Sequence, residues 1–293
     1  MNKVQIRRKR KYHPKSETLL NGLTVALLTP FDTKNGIDKT MLIAHLEYLR
    51  NSGVRNILLN GTAGEFFSLT QWERKLILKM ARSSFPGFII FQVCCGNLVQ
   101  TEEMAKWGAD NGADAIMSLP PYYPSHIPQP GIINFLNTLS NSLTIPFLIY
   151  NMPKNTKNPI TPDILSRVKH FGLKDSSANF SLVKFTPHYY IGSDTKILSS
   201  YNAGSRGFVS TRANFIPELY VNIENALAQN DMRKVNAFQQ DIYTAADKYS
   251  GDNQIAIAKY ALSKKIKGYS VRVRPPLVQL NKNEISKIME VSR

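Results

Sequence analysis

The sequence predicts an α/β protein, a (β/α)8 TIM barrel with a C-terminal three-helix appendage, on three observations. Short apolar runs alternate eight times with segments of helical periodicity. The runs are continuously apolar, as expected of parallel strands buried on both faces. Three of them hand over at their C-terminal end to a chemically useful residue, and that end is where a parallel barrel keeps its chemistry. No Gly-x-Gly-x-x-Gly follows any run, which counts against an open dinucleotide-binding sheet.

Taken in order, residues 1–20 are polar, basic and aperiodic and read as a tail. The barrel spans residues 21–228 and the appendage residues 229–293. The first strand is expected over 22–28, closed by Thr29-Pro30. Asp38 is placed to cap a helix whose positions Met41, Leu42, His45, Leu46 and Leu49 recur at helical spacing. A second strand covers 56–59. Thr70 and Glu73 then form a capping box, opening a helix with Leu76, Ile77 and Met80 on its apolar face. Further strands are expected over 88–93, 115–119, 146–150, 172–174, 189–192 and 207–210. The intervening helices are 101–111, 131–139, 162–169, a short one at 180–185, 196–203 and 217–228. Thr161 caps the helix at 162, with Pro162 in the first helical position. The stretches 232–249, 254–263 and 283–291 supply the appendage.

The 293 residues suffice for one large barrel, and no run reaches the unbroken apolar length of a membrane span. The basic cluster Arg7 to Lys11 is followed by no apolar h-region, which argues against a secretory signal. Cys94 and Cys95 are adjacent and give no disulfide framework, so a reducing cytoplasm is the expected location. The formal net charge is +16. Residues 1–17 hold seven Lys or Arg and one Glu, a net +6, and the rest is dispersed. No basic block is interleaved with aromatics, so nucleic-acid binding is disfavoured against a solvated basic surface. The five histidines, His13, His45, His126, His170 and His188, are scattered and make no metal cluster.

Lys174 closes the run Phe171-Gly172-Leu173-Lys174. A lysine at a barrel strand's end can attack a ketone and form an electron-withdrawing iminium. The attacking amine must be neutral, and burial among apolar neighbours favours that form; Phe171 and Leu173 flank it. By position alone, an exposed loop lysine is the commoner outcome. Tyr150 closes the preceding run, and a phenol there can shuttle a proton to and from a substrate hydroxyl. The two would sit on consecutive strands. Gly61-Thr62-Ala63-Gly64 follows the second strand, where two glycines expose backbone N–H groups able to hold a carboxylate. The Thr62 hydroxyl could relay a proton to a phenol. Pro120-Pro121-Tyr122-Tyr123-Pro124 is a stiff aromatic loop after the fourth strand.

Gly-Thr-Ala-Gly-Glu, Pro-Pro-Tyr-Tyr, Tyr-Asn-Met-Pro and Gly-Leu-Lys-Asp, in this order and on these strands, resemble the dihydrodipicolinate synthase / N-acetylneuraminate lyase superfamily of class I aldolases. The resemblance runs from about Gly22 through the C-terminal helices. It implies a Schiff base between Lys174 and pyruvate or a 2-keto sugar acid, with Tyr150 as the proton shuttle. Thr62 and the Ala63 backbone would bind the carboxylate. Tyr123 would be the loop tyrosine that, in some members, completes the relay across a dimer interface. Gly192 and Val209 would line the pocket. The resemblance further implies no metal, no diffusible cofactor, a small-molecule substrate and a homotetramer.

Two departures bear on the substrate. Ala63 stands where the family usually has a second hydroxyl residue. Asn155 stands five residues past Tyr150, where dihydrodipicolinate synthases carry an arginine for the second substrate's carboxylate. Tyr-Asn-Met-Pro, Lys174-Asp175 and Arg274-Pro275-Pro276-Leu277 look closer to the archaeal 2-keto-3-deoxygluconate aldolases. The expected activity is therefore reversible cleavage of 2-keto-3-deoxygluconate to pyruvate and glyceraldehyde. Dihydrodipicolinate synthesis, N-acetylneuraminate cleavage and sugar-acid dehydration on the same lysine are the alternatives.

Overall fold

In the computed structural model, which describes residues 20–290, eight parallel strands close into one barrel in sequence order. They are β1 (Gly22–Ala26), β2 (Asn56–Leu59), β3 (Phe88–Gln92), β4 (Ala115–Ser118), β5 (Phe147–Asn151), β6 (Gly172–Asp175), β7 (Tyr189–Ile191) and β8 (Gly207–Ser210). Closure is direct: Gly22 lies opposite Gly207 and Val25 opposite Ser210. The expected basic tail lies outside the described residues apart from Leu20.

The strands read as continuously apolar because both parities are buried. Leu23, Val25, Ile57, Leu59, Leu173 and Ile191 join the layer between barrel and helices. Their neighbours Ala26, Leu58, Ile90, Leu148, Tyr150 and Val209 belong to a second cluster filling the barrel. Side chains alternate between faces along each strand, so each parity serves one layer.

Several helices begin at side-chain caps. α1 (Lys39–Asn51) starts where Asp38 accepts the Met41 N–H at 3.0 Å. α2 (Gln71–Ser84) has the complete capping box: Thr70 Oγ1 accepts the Glu73 N–H at 3.2 Å, and Glu73 Oε2 accepts the Thr70 N–H at 2.9 Å. α3 (Leu98–Asp110) begins three residues before its expected start, because Asn97 accepts the Gln100 N–H at 2.9 Å. β1 stops two residues short of the expected 28 because the Leu28 N–H turns to Asn214 Oδ1, 3.1 Å away.

α4 (Gln129–Asn141) connects β4 to β5, and the short α5 (Pro153–Thr156) and α6 (Pro162–Arg167) connect β5 to β6. After β6 the expected short helix is a 3-10 turn, Phe180–Phe185. α7 (Ile197–Asn202) follows β7 and α8 (Pro217–Ala228) follows β8, each introduced by a 3-10 turn. α9 (Met232–Lys248) packs on α7 and α8. α10 (Gln254–Ser263) and α11 (Lys282–Glu290) complete the described chain. Among the described residues, no helix is long and apolar enough to cross a membrane. Cys94 and Cys95 are free thiols.

Candidate active site

The β5–β6 register sets Tyr150 directly opposite Lys174. Both side chains point into the barrel, 2 % and 6 % exposed respectively. Lys174 Nζ lies 3.6 Å from the centroid of the Tyr150 ring, over its electron-rich face. Leu173 is not a neighbour of the amine: strand alternation sends it to the helix-facing layer, and the Tyr150 ring takes that place. Phe171 packs at the edge of the barrel-filling cluster, 4.5 Å from the His188 ring.

The Tyr150 phenol is subject to opposed influences. Burial pushes its pKa up. The charge of Lys174 and hydrogen bonding from Lys174, Thr62 and Ser176 outweigh burial, so the phenol lies below the ordinary tyrosine value. Its hydroxyl donates to Met152 Sδ at 3.4 Å.

The turn after β2 is tightly specified. Asn60 and Glu65 at its two ends are both left-handed, with φ of 54° and 56°. Thr29 Oγ1 donates to the Gly64 carbonyl at 2.8 Å, and a Cβ on Gly64 would sit 2.9 Å from the Leu27 carbonyl. Glycine is required there for the turn to lie against the end of β1.

The loop after β6 hangs on Asp175, which is fully buried. Its carboxylate accepts from Asn151 Nδ2 at 2.8 Å, Ser177 N at 2.9 Å, Asn179 N at 3.0 Å and the Tyr189 hydroxyl at 2.6 Å. Burial, then hydrogen bonding and charge from Asp175, push the Tyr189 phenol far up, so it stays a donor. The Gly192 N–H donates to the Asp175 carbonyl at 2.7 Å, and a Cβ on Gly192 would lie 2.3 Å from Ser176 Oγ. Gly192 thus admits the Ser176 hydroxyl beside Lys174.

These pieces surround one cavity of about 460 Å³. Lys174, Tyr150, Thr62, Ala63, Gly192 and Val209, all expected from the sequence, line it together. Tyr123 and Asn155 do not. Tyr123 is 91 % exposed, and its neighbour Tyr122 turns inward, edge-on to Phe66 at 6.1 Å. Asn155 is exposed on α5. The rest of the wall includes residues that sequence reasoning did not single out, among them Ser176, Asp194, Thr195 and Arg212, with Gln254 and Ala258 of α10. Ser176 lay inside the stretch already in view, but nothing in a turn's sequence says which way its hydroxyl points. The α10 residues are far away in the chain and carry no local signature. Arg212 enters already paired, with Nη1 2.9 Å from Asp194 Oδ2. Among the described residues, no three His, Cys, Asp or Glu side chains gather into a metal-binding group.

The chain is similar to known proteins over nearly its whole length. The chain is 30 % identical over 285 residues to the 4-hydroxy-tetrahydrodipicolinate synthase of Staphylococcus saprophyticus, covering 92 % of this chain and 95 % of that protein. It superposes on a variant of the 2-keto-3-deoxygluconate aldolase of Sulfolobus solfataricus with a TM-score of 0.85, at 25 % identity over 92 % of this chain and 94 % of that one. YagE of E. coli K12, solved in complex with pyruvate, shares the fold with a TM-score of 0.88 at 23 % identity, over 94 % of this chain and 99 % of that one. The model of the dihydrodipicolinate synthetase family matches residues 19–292, and the chain belongs to that family of lyases.

Proposed function

We propose that the protein is a Schiff-base aldolase that reversibly cleaves a 2-keto-3-deoxy sugar acid, 2-keto-3-deoxygluconate, to pyruvate and glyceraldehyde. The observation that carries this reading is the buried lysine stacked on a buried tyrosine, 3.6 Å from amine to ring centroid, in the wall of the cavity. The neutral Lys174 amine adds to C2 of the keto acid, and loss of water gives an iminium. The backbone N–H groups of the Thr62–Ala63 turn hold the substrate carboxylate. Tyr150, as phenolate, takes the C4 hydroxyl proton. The C3–C4 electron pair then flows into the iminium, leaving an enamine on Lys174 and releasing the aldehyde. Protonation of the enamine at C3 and addition of water return pyruvate and the free amine. Lys174 supplies the electron sink, and the positioned proton transfer is worth ~10²–10⁴-fold.

Two features favour a polyol over a second carboxylate. Arg212 in the cavity wall is neutralised by Asp194, and Thr195 lines the same cavity. The position that would carry a carboxylate-gripping arginine holds Asn155, which is exposed. The second reading, dihydrodipicolinate synthesis, is favoured by the 30 % identity to the staphylococcal synthase. It would use the same lysine and pyruvate, with condensation in place of cleavage.

Intact mass after incubation with pyruvate and borohydride tests the shared step. Wild type gains one pyruvyl adduct and Lys174→Ala gains none. Labelling of neither protein would overturn the Schiff-base reading. Release of pyruvate from 2-keto-3-deoxygluconate, set against consumption of aspartate semialdehyde, then separates the two readings.

We also propose that the chain self-associates, to the homotetramer the resemblance implies. Phe67, Trp72, Val99 and Tyr123 are exposed apolar side chains, all on segments that follow β2, β3 and β4 at one end of the barrel.

A further inference from the structure

Glu65 closes the turn that carries Thr62 and Ala63, and it points away from the cavity into the protein. It is ion-paired with Lys259 of α10, and both side chains are fully buried. Glu65 Oε2 also accepts the Arg274 N–H at 2.9 Å. Lys259 Nζ donates to the Arg272 carbonyl at 2.7 Å and sits 4.2 Å from the centroid of the Phe31 ring. The Arg274 guanidinium continues the chain of charges. Its Nη1 donates to Glu73 Oε2 at 2.9 Å and to the Ser68 carbonyl at 3.1 Å, and its Nη2 pairs with Glu73 Oε1. Glu73 is the residue whose carboxylate closes the capping box of α2. Neither Glu65, Lys259, Arg274 nor Glu73 lines the cavity.

Stability is a poor reason for such an arrangement. Removing two charges from water costs about as much as their attraction returns, and an apolar pair of equal volume would serve a core as well. Burial in fact pushes Lys259 down to about 8, against the opposing charge of Glu65. What an ion pair adds is direction and length. It joins two walls of the cavity: the β2 turn at Glu65, and α10, whose Ile257 and Ala258 line the cavity next to Lys259 in sequence. The left-handed backbone at Glu65 puts its carboxylate within reach of α10 while Thr62 and Ala63 face the cavity.

We propose that the buried Glu65–Lys259 pair, extended by Arg274 and Glu73, is a positioning assembly that holds the Thr62–Ala63 turn in register with Lys174 for the carboxylate of the keto acid. The inference rests on the assignment of that turn as the carboxylate site. Loss of the assembly loosens the grip on the carboxylate and leaves the amine's reactivity toward a carbonyl intact.

The test compares two ketones in borohydride trapping, pyruvate and acetone, which lacks the carboxylate. The variant is Glu65→Gln/Lys259→Met, which removes both charges at nearly constant volume and leaves neither buried alone. Circular dichroism confirms folding. The expected result is a rise of about tenfold or more in the pyruvate concentration for half-maximal labelling, with the acetone dependence unchanged. A purely structural role would shift both ketones or neither. Should the double variant not fold, Arg274→Lys decides at the outer end of the assembly, with a rise of about threefold for pyruvate alone. A folded variant whose pyruvate dependence matches wild type overturns the inference while the aldolase reading stands. A wild type that pyruvate does not label overturns that reading and the inference with it.

Discussion

Tyr150 and His45 are both buried and both titrate below their ordinary values, Tyr150 against its burial cost because a charge lies beside it and His45 along its burial cost because none does. For Tyr150, the neighbouring Lys174 outweighs burial and holds the phenol below its ordinary value, as a proton carrier requires. Tyr150→Phe keeps the ring under the amine and removes only the carrier. Labelling by pyruvate should persist while turnover of the sugar acid falls ~10²–10⁴-fold, read by pyruvate release. Loss of labelling together with turnover would instead give Tyr150 a part in forming the iminium. For His45, burial pushes the imidazole from 6.5 down to about 3. The unfolded chain takes up this proton below 6.5 and the folded chain only near 3, so between the two the unfolded state binds more protons. His45 therefore contributes a loss of stability as pH falls through that window, about 5 kcal/mol across it. His45→Phe, which keeps a ring against Tyr269 at the present 5.5 Å contact, should flatten the acid limb of a Tm-against-pH curve. An unchanged acid limb would place the acid sensitivity elsewhere.

Among the elements, the ends of β6 and β7 approach each other closely at Gly192. A Cβ on Gly192 would meet Ser176 Oγ at 2.3 Å and the Asp175 carbonyl at 3.3 Å. Gly192→Ala should destabilise the fold by about 1–3 kcal/mol in denaturant titration and displace Ser176 from the cavity. Adding Ser176→Gly should restore most of the stability, since the nearest obstruction is that side chain; failure to restore it would put the strain in the backbone. The elements themselves were legible in the sequence to the extent that their signals are local. The alternation of strand and helix, the Asp38 cap and the Thr70–Glu73 box all depend on residues within a few positions of each other. Boundaries slipped where a single cap decided them, as Asn97 does for α3. They slipped also where a distant group took over, as Asn214 does at the end of β1. Leu173 shows the same limit at finer grain: adjacent to Lys174 in sequence, it faces the other layer.

The molecule as a whole draws the cavity from the ends of six strands, β1, β2 and β5 to β8, and from α10, and it leaves an apolar fringe outside it. Trp72 is 67 % exposed and Tyr123 91 %, large rings that a lone barrel gains nothing by presenting to water. If this fringe is the self-association surface, Trp72→Glu should lower the mass measured by light scattering after size exclusion. Turnover should fall with it if Tyr123 serves a neighbouring copy's relay. An unchanged mass would leave the fringe without that role.

The sequence by itself determined the barrel, because eight continuous apolar runs alternate with capped helical segments and no phosphate-cradling glycine motif follows any of them, which favours closure over an open sheet. It also determined the core of the candidate site. A strand's end fixes where a residue lies in a barrel, so Lys174, Tyr150 and Thr62 could be placed on one rim before any contact was known. Only the tertiary structure decided the rest. That Tyr123 and Asn155 stand outside the cavity, that Ser176 and Arg212 stand within it, and that Glu65 is tied to Lys259 across nearly two hundred residues, all depend on distances between segments with no local coupling. Those distances follow from closure of the sheet and packing of α10 against it, which no window of sequence contains.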